Sequence, residues 1–294
     1  MIHTIDLHFQ QVPGNIAAFL VETSEGPVLI ETGPHSTLPS LRQGLAELGH
    51  RAEVVRHVFL THIHLDHAGA AWWFARQGAT IYVHPKGSKH LAGPERLMES
   101  ARRIYQDQMD TLWGEMNPIP TDQIVEAGHE ATFTIGDTTL QAWHTPGHAV
   151  HHIAWQIGDD LCTGDVAGVR INQGIVVPPC PPPDIQVEDW QKSIALLRQL
   201  SARRFYLTHF GPIDDLDEHL SALEARLQSW ADWMKPHFEK QETIETITPA
   251  FEAMVRQELE GAGISGQALR QYELANPSWM SVAGLLRYWR KHTA

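Results

Sequence analysis

Apolar positions along the first two thirds of the chain come in short runs and alternations separated by Gly, Pro and Asp turns. That is the pattern of strands joined by tight connections. Met1 to Leu7 opens as a strand, and Ala17–Thr23 is a second. Ser24-Glu25-Gly26-Pro27 turns the chain back into Val28–Glu31. Leu38, Leu41, Leu45 and Leu48 recur at helical spacing. Val54–Leu60 reads as a buried strand, Ala68–Phe74 as a helix and Ala79–Val83 as another strand, an order that fits a layered α/β sheet. Residues 88 to 113 change character: Leu91, Leu97, Met98, Ile104, Tyr105, Met109, Leu112 and Trp113 sit in a polar, helix-forming background. They predict one or two helices, read either as ordinary core or, with a slight preference, as a cap offering Tyr105 and Trp113 as apolar walls.

Strands resume at Ala131–Ile135 and Thr139–Trp143, with Gly136-Asp137 as a hairpin signal. Ile153–Ile157, Leu161–Asp165 and Arg204–His209 follow, interrupted by an extended Pro-rich loop (Val176–Pro183) and a helix from Glu188 to about Leu200. Beyond Pro212 the alternation stops. Leu216, Leu220, Leu223, Leu227 and Trp230 mark a helix, and further helices are expected at Pro249–Glu260 and from Trp279 to His292. The pattern divides the chain into a layered α/β unit, residues 1–212 with a helical insertion at about 88–120, and a helical C-terminal region, residues 213–294.

The candidate chemistry begins at Thr61-His62-Ile63-His64-Leu65-Asp66-His67-Ala68-Gly69, where three imidazoles and a carboxylate fall within six residues. Imidazole and carboxylate suit zinc, iron or manganese. The segment lies between a strand and a helix, at the carboxyl end of the strand, where α/β sheets keep their sites. Three more segments place a ligand-type side chain at or beside a strand end: Thr145-Pro146-Gly147-His148, Thr163-Gly164-Asp165 and Leu207-Thr208-His209.

Composition narrows the picture. The 294 residues are 43% hydrophobic and 19% charged, long enough for one large domain plus an appendage. No apolar run reaches the roughly 18 residues of a membrane span, and the first residues lack the basic-then-apolar order of a signal peptide, so the expected location is the cytoplasm. Cys162 and Cys180 form no metal or redox motif and read as reduced thiols, with a disulfide as the alternative. The net charge of −13 argues against a broad nucleic-acid surface. A small-molecule substrate is expected, with no nucleic-acid or membrane partner. Apolar faces in the tail leave a homodimer as a further expectation.

The four segments, in this order and at these separations, resemble the metallo-β-lactamase-fold metallo-hydrolase superfamily over residues 1–212. The resemblance implies an α/β fold, an αββα sandwich of two mixed sheets, here with a helical C-terminal appendage. It also implies two divalent metal ions, zinc before iron or manganese. His62, His64 and His148 would hold the first, Asp66, His67 and His209 the second, and Asp165 would bridge them. Asp66 would also be catalytic, orienting the nucleophile or carrying a proton, and the nucleophile would be a metal-bridging hydroxide. Glu31 stands where many relatives resemble Leu-Ile-Asp-Thr-Gly; the longer side chain is suited to orienting a ligating imidazole. His151 and His152 are left without a role, and His35, His57 and His144 read as structural or as lying behind the ligands.

Within the superfamily, true β-lactamases often use Cys where this chain has Asp165, and quorum-quenching lactonases carry a Tyr soon after the bridging Asp, which Val166–Arg170 does not offer. The helical C-terminus resembles the glyoxalase II-like branch. The expected activity is therefore hydrolysis of a small ester, thioester, lactone or phosphoester. Two other classes stand beside it: a mono-iron persulfide dioxygenase-like oxidoreductase, and an RNA-processing nuclease disfavoured by the acidic charge.

Overall fold

A computed structural model describes residues 1–293 of the chain. Two six-stranded sheets face one another. The first holds β1 (Ile2–Asp6), β2 (Ala17–Thr23), β3 (Gly26–Ile30), β4 (His57–Phe59), β5 (Thr80–Val83) and β6 (Ile124–Glu126), in that order. The second holds β7 (Thr132–Ile135), β8 (Thr138–His144), β9 (Ile153–Ile157), β10 (Asp160–Gly164), β11 (Arg204–Leu207) and β12 (Gly211–Ile213), in the order β12-β11-β10-β9-β8-β7. Both sheets are mixed: β3 to β6 run parallel, as do β10 and β11, while the remaining pairs are antiparallel.

The helices are α1 (Leu38–Glu47), α2 (Leu65–Ala68), α3 (Ala71–Arg76), α4 (Pro85–Ala92), α5 (Glu95–Tyr105), α6 (Met109–Leu112), α7 (Val187–Gln199), α8 (Leu216–Glu239), α9 (Ile244–Gly261), α10 (Gln267–Ala275) and α11 (Ser278–His292). Three apolar clusters hold the layers. One lies between the sheets, with Phe19, Phe59, Tyr82, Trp155 and Tyr206. Phe59 stacks on Tyr82 at 4.0 Å between ring centroids and meets Trp155 edge-on at 4.9 Å. The second cluster packs α1 and α3 on the outer face of the first sheet. The third joins the second sheet to α7 and the C-terminal helices, burying Trp190, Trp230 and Phe251. The order helix, sheet, sheet, helix is the expected αββα sandwich, and the C-terminal helices follow it.

Several elements differ from the sequence pattern for local reasons. The strand expected at 54–60 is only His57–Phe59; before it the Val55 amide turns back onto the Ala52 carbonyl, and Val54 is exposed. The helix expected at 68–74 is two helices, because the Ala70 amide bonds the Gly33 carbonyl across the sheet edge. Gly93-Pro94 and the irregular Gln106–Gln108 turn divide the insertion into α4, α5 and α6. Helix α9 starts five residues before Pro249, at a cap where the Thr243 hydroxyl accepts from the Thr246 amide. Strand β12 extends past the expected end of the α/β unit, and β6 and α10 were not evident in the pattern. Both cysteines are buried free thiols.

Candidate metal centre

The loop leaving β4 carries His62 and His64, and Asp66 and His67 follow inside α2. His148 lies in the loop after β8, Asp165 directly after β10 and His209 two residues after β11. The parallel β3–β4 and β10–β11 pairs send all these ends to one edge of the sandwich. The sheets are fastened there by the Trp155 indole donating to the Leu60 carbonyl (2.9 Å), the Ile153 amide to Thr61 (2.7 Å) and the Ala17 amide to Thr208 (2.9 Å). The structure thus brings all seven candidate residues together.

They form two groups. His62 Nε2 lies 2.9 Å from His64 Nδ1, and His148 Nε2 lies 3.1 Å from the same atom. His209 Nε2 and His67 Nε2 lie 3.4 and 3.5 Å from Asp66 Oδ2. Asp165 stands between the groups. Its Oδ2 is 3.3 Å from His148 Nε2, and its Oδ1 is 3.3 Å from His67 Nε2 and 3.4 Å from His209 Nε2. His62, His67, His148, Asp165 and His209 are buried; His64 and Asp66 keep some exposure.

The outward ring nitrogens of four of these imidazoles have partners that set their tautomers. His148 Nδ1–H donates to the Pro179 carbonyl (2.9 Å) and His209 Nδ1–H to the Asn15 carbonyl (2.8 Å). His67 Nδ1–H donates to Glu31 Oε1 (2.9 Å), and His62 Nδ1–H to Thr61 Oγ1 (2.9 Å). The Thr61 hydroxyl donates in turn to the Glu31 carboxylate, whose other oxygen accepts the Thr61 amide at 3.3 Å. Each of these four rings therefore points a lone pair at Nε2 into the centre. Glu31, wholly buried, serves one imidazole of each group. It sits at φ 65°, a left-handed conformation that costs a non-glycine residue about 1–2 kcal/mol.

These donors fit metal ions. His67 Nε2, Asp165 Oδ1 and His209 Nε2 are buried with no hydrogen-bond partner, an arrangement that costs about 1–3 kcal/mol per group unless something satisfies it. Three imidazole nitrogens in one group, and two with a carboxylate in the other, are the donor chemistry of zinc and its neighbours. The charges agree. Burial pushes His62 well below its ordinary pKa, helped by the neighbouring imidazoles, and burial takes His148 down to about 4 against the pull of Asp165. Burial acts the same way on His67 and His209, but Asp165 and Asp66 outweigh it, so both bind a proton more readily. Burial would raise Asp66 and Asp165; His67 and its neighbours outweigh that, holding Asp66 at about 2 and Asp165 well below the carboxylate range. Three carboxylates gathered among these imidazoles call for cations, whether protons on His67 and His209 or metal ions.

Residues whose roles were not legible complete the cradle. His152 Nε2 accepts the Asp165 amide (3.1 Å) and its Nδ1–H meets the Thr145 hydroxyl (2.8 Å), fixing where Asp165 leaves β10. The C-terminal region braces the two orienting carbonyls. Asn15 donates from Nδ2 to the Gln271 carbonyl (2.9 Å), and Gln271 donates to the Pro13 carbonyl (2.5 Å). Asn276 Nδ2 donates to the Pro178 carbonyl (3.3 Å), beside Pro179. His57 and His35 are structural, meeting the Tyr82 hydroxyl (2.9 Å) and the Glu115 amide (3.2 Å). The ring of His144 stacks on His84 at 4.2 Å. The centre opens into a cavity of about 620 Å³ reached by the insertion, the Pro-rich loop and the C-terminal helices.

Comparison with known proteins agrees with this geometry. A sequence profile of the metallo-beta-lactamase superfamily matches residues 12–209. A metallo-beta-lactamase fold-containing protein of Sulfurisphaera tokodaii is 29% identical over 173 residues, 57% of this chain and 66% of its own length. The protein named probable metallo-hydrolase YqjP, from Bacillus subtilis, is 21% identical over 220 residues, 68% of each chain. The crystal structure of a metallo-beta-lactamase family protein from Thermus thermophilus superposes with a TM-score of 0.67 at 21% identity, covering 100% of this chain and 94% of that one.

Proposed function

The chain belongs to the metallo-beta-lactamase superfamily, and on that premise we propose that it is a metal-dependent hydrolase with two divalent ions, acting on a small ester, thioester, lactone or phosphoester. The observation that carries the reading is the position of Asp165, each of whose carboxylate oxygens faces a different group of donors. A single-ion site would leave the His67, Asp66 and His209 group with no purpose and its buried nitrogens unsatisfied.

In this reading His62, His64 and His148 would hold one ion and Asp66, His67 and His209 the other, with Asp165 a donor to both. Bound there, the ions would lower the pKa of water toward neutrality and polarise the oxygen of the group under attack. The chain supplies the rest. Glu31, Thr61, Asn15 and Pro179 keep four imidazoles in the tautomer that turns Nε2 inward. His152 fixes Asp165. Asp66 lines the cavity, so its carboxylate is placed to orient the attacking water. The relative named as a metallo-hydrolase is compatible with this activity.

The test is a panel of thioester, lactone and phosphodiester substrates, assayed on metal-free and zinc-loaded protein with metal content measured alongside. Turnover should require metal, with two ions bound per chain, and His64→Ala should abolish it while leaving most of the fold intact. Activity unchanged by metal removal would refute the proposal, as would one iron per chain with oxygen uptake.

A further inference from the structure

The cavity in front of the centre is walled mainly by apolar side chains from parts of the chain remote from one another in sequence. Phe9 stacks on Trp113 at 5.5 Å, Tyr105 packs edge-on to Trp113 at 5.1 Å, and Trp279 packs against Tyr105 at 6.1 Å. These four rings make a continuous aromatic wall. The Tyr105 hydroxyl donates to Met280 Sδ (3.3 Å), which joins α5 to α11 and engages the phenol's one proton. Ile104, 42% exposed, stands at the same opening.

The charged groups are equally one-sided. Asp66, Asp107, Asp165 and Glu273 line the cavity; among the described residues no Lys or Arg does. Arg287 and Lys291 hold the Pro183 carbonyl (3.2 and 2.7 Å) and are not part of the lining. Away from the centre, where Asp66 and Asp165 are taken up as ligands, an acyl group ending in a carboxylate or phosphate would meet Asp107 and Glu273 and no guanidinium or ammonium to pair with. Gln106, Asp107 and Gln108 are exposed and form a polar rim.

Resting on the hydrolase reading above, we propose that the substrates are carboxylic esters or thioesters of uncharged apolar or aromatic acyl groups. The acyl chain lies along the Phe9–Trp113–Tyr105–Trp279 wall, the scissile carbonyl at the Asp66 and Asp165 end, and the leaving group at the polar rim. Water adds to the carbonyl carbon and the bond from that carbon to oxygen or sulfur breaks. The leaving atom receives one proton from the water, giving a carboxylic acid and an alcohol or thiol. The acid then ionises and leaves, its proton going to solvent.

The experiment uses zinc-loaded protein and N-acetylcysteamine thioesters from acetyl to decanoyl, with glutaryl as a charged acyl group. kcat/KM should rise about two- to fourfold per methylene until the cavity is filled, and glutaryl should fall at least tenfold below pentanoyl. Trp279→Ala should lower the decanoyl-to-acetyl ratio of kcat/KM about tenfold. Ile104→Ser, at an exposed position, should lower it by a smaller factor and serves if the first variant does not fold. Calorimetric binding of decanamide to metal-free protein should weaken in the same order. Equal kcat/KM from acetyl to decanoyl, a preference for glutaryl, or turnover of phosphodiesters alone would overturn the proposal while leaving the hydrolase reading standing. Turnover of nothing in either panel would sink the hydrolase reading and this proposal with it.

Discussion

The two halves of the centre are oriented by different means. On the side of the first sheet, a buried side-chain carboxylate does the work: Glu31 holds His67 directly and His62 through Thr61. On the side of the second sheet, backbone carbonyls do it, Pro179 for His148 and Asn15 for His209. Those carbonyls lie in loops, and the loops are braced by Gln271 and Asn276, far along the chain. A carboxylate adds negative charge as well as direction and makes its imidazoles better donors. A carbonyl gives direction and little charge, and its precision depends on whatever pins the loop. The first half should therefore fail through electrostatics, the second through loss of packing.

The largest effect should come from the residue that the two ligand groups share. Asp165→Ala removes a donor from both groups, and metal affinity should fall more than about 100-fold, beyond the 10–100-fold that partners behind the ligands typically cost. Dialysis against graded zinc, with metal counted by mass spectrometry, measures this. Glu31→Gln comes next. It should weaken zinc binding by about 10–100-fold at both sites, and destabilise the metal-free protein by about 1–3 kcal/mol in urea, because buried groups lose partners. A loss confined to one site would break the claim that Glu31 serves both.

The third effect concerns α8, anchored where His219 Nε2–H donates to the Ala167 carbonyl (2.7 Å), two residues beyond Asp165. Burial holds His219 down to about 4, against an ordinary 6.5. The unfolded chain therefore binds the proton more readily, so the contribution is complete above about pH 6.5 and is lost as pH falls through 4. On the order of 2–3 kcal/mol is at stake. Against wild type, His219→Gln should show a shallower fall in Tm between pH 6.5 and 4; parallel curves would remove His219 as the cause. The smallest effects belong to Gln271→Ala and Asn276→Ala: about 1 kcal/mol of stability each and less than tenfold in zinc affinity. A loss as large as that of Glu31→Gln would erase the contrast between the halves.

The same contrast explains what could be read from the chain. His62, His64, Asp66 and His67 stand out because a single loop carries them, and the strand-end positions of His148, Asp165 and His209 become meaningful once they are seen together. Of their partners, Glu31 is suggested by its place in the motif, but which imidazoles it serves is not. Glu31 lies thirty residues before Thr61, and only the sandwich, with Glu31 at positive φ, turns its carboxylate under the loop. His152 has no role assigned from the sequence, because nothing in its neighbourhood there points to the Asp165 amide. Pro179 and Asn15 act through backbone carbonyls, which leave no trace in residue type, and the side-chain amides of Gln271 and Asn276 reach those loops from far along the chain. Among the elements, β6 is three residues of ordinary composition, and α10 lacks a long apolar stripe because only Gln271 and Tyr272 of its nine residues are buried. Layer order was legible because periodicity records burial. The short elements were not, because neighbours rather than their own residues decide them.

The most direct test of the central claim is a calorimetric titration of metal-free protein with zinc, repeated on Asp66→Ala and Glu31→Gln. Two ions per chain are predicted for the wild type, one strongly retained ion for Asp66→Ala, and weakened binding at both sites for Glu31→Gln. A single ion per chain in the wild type, unaffected by Asp66→Ala, would contradict the account.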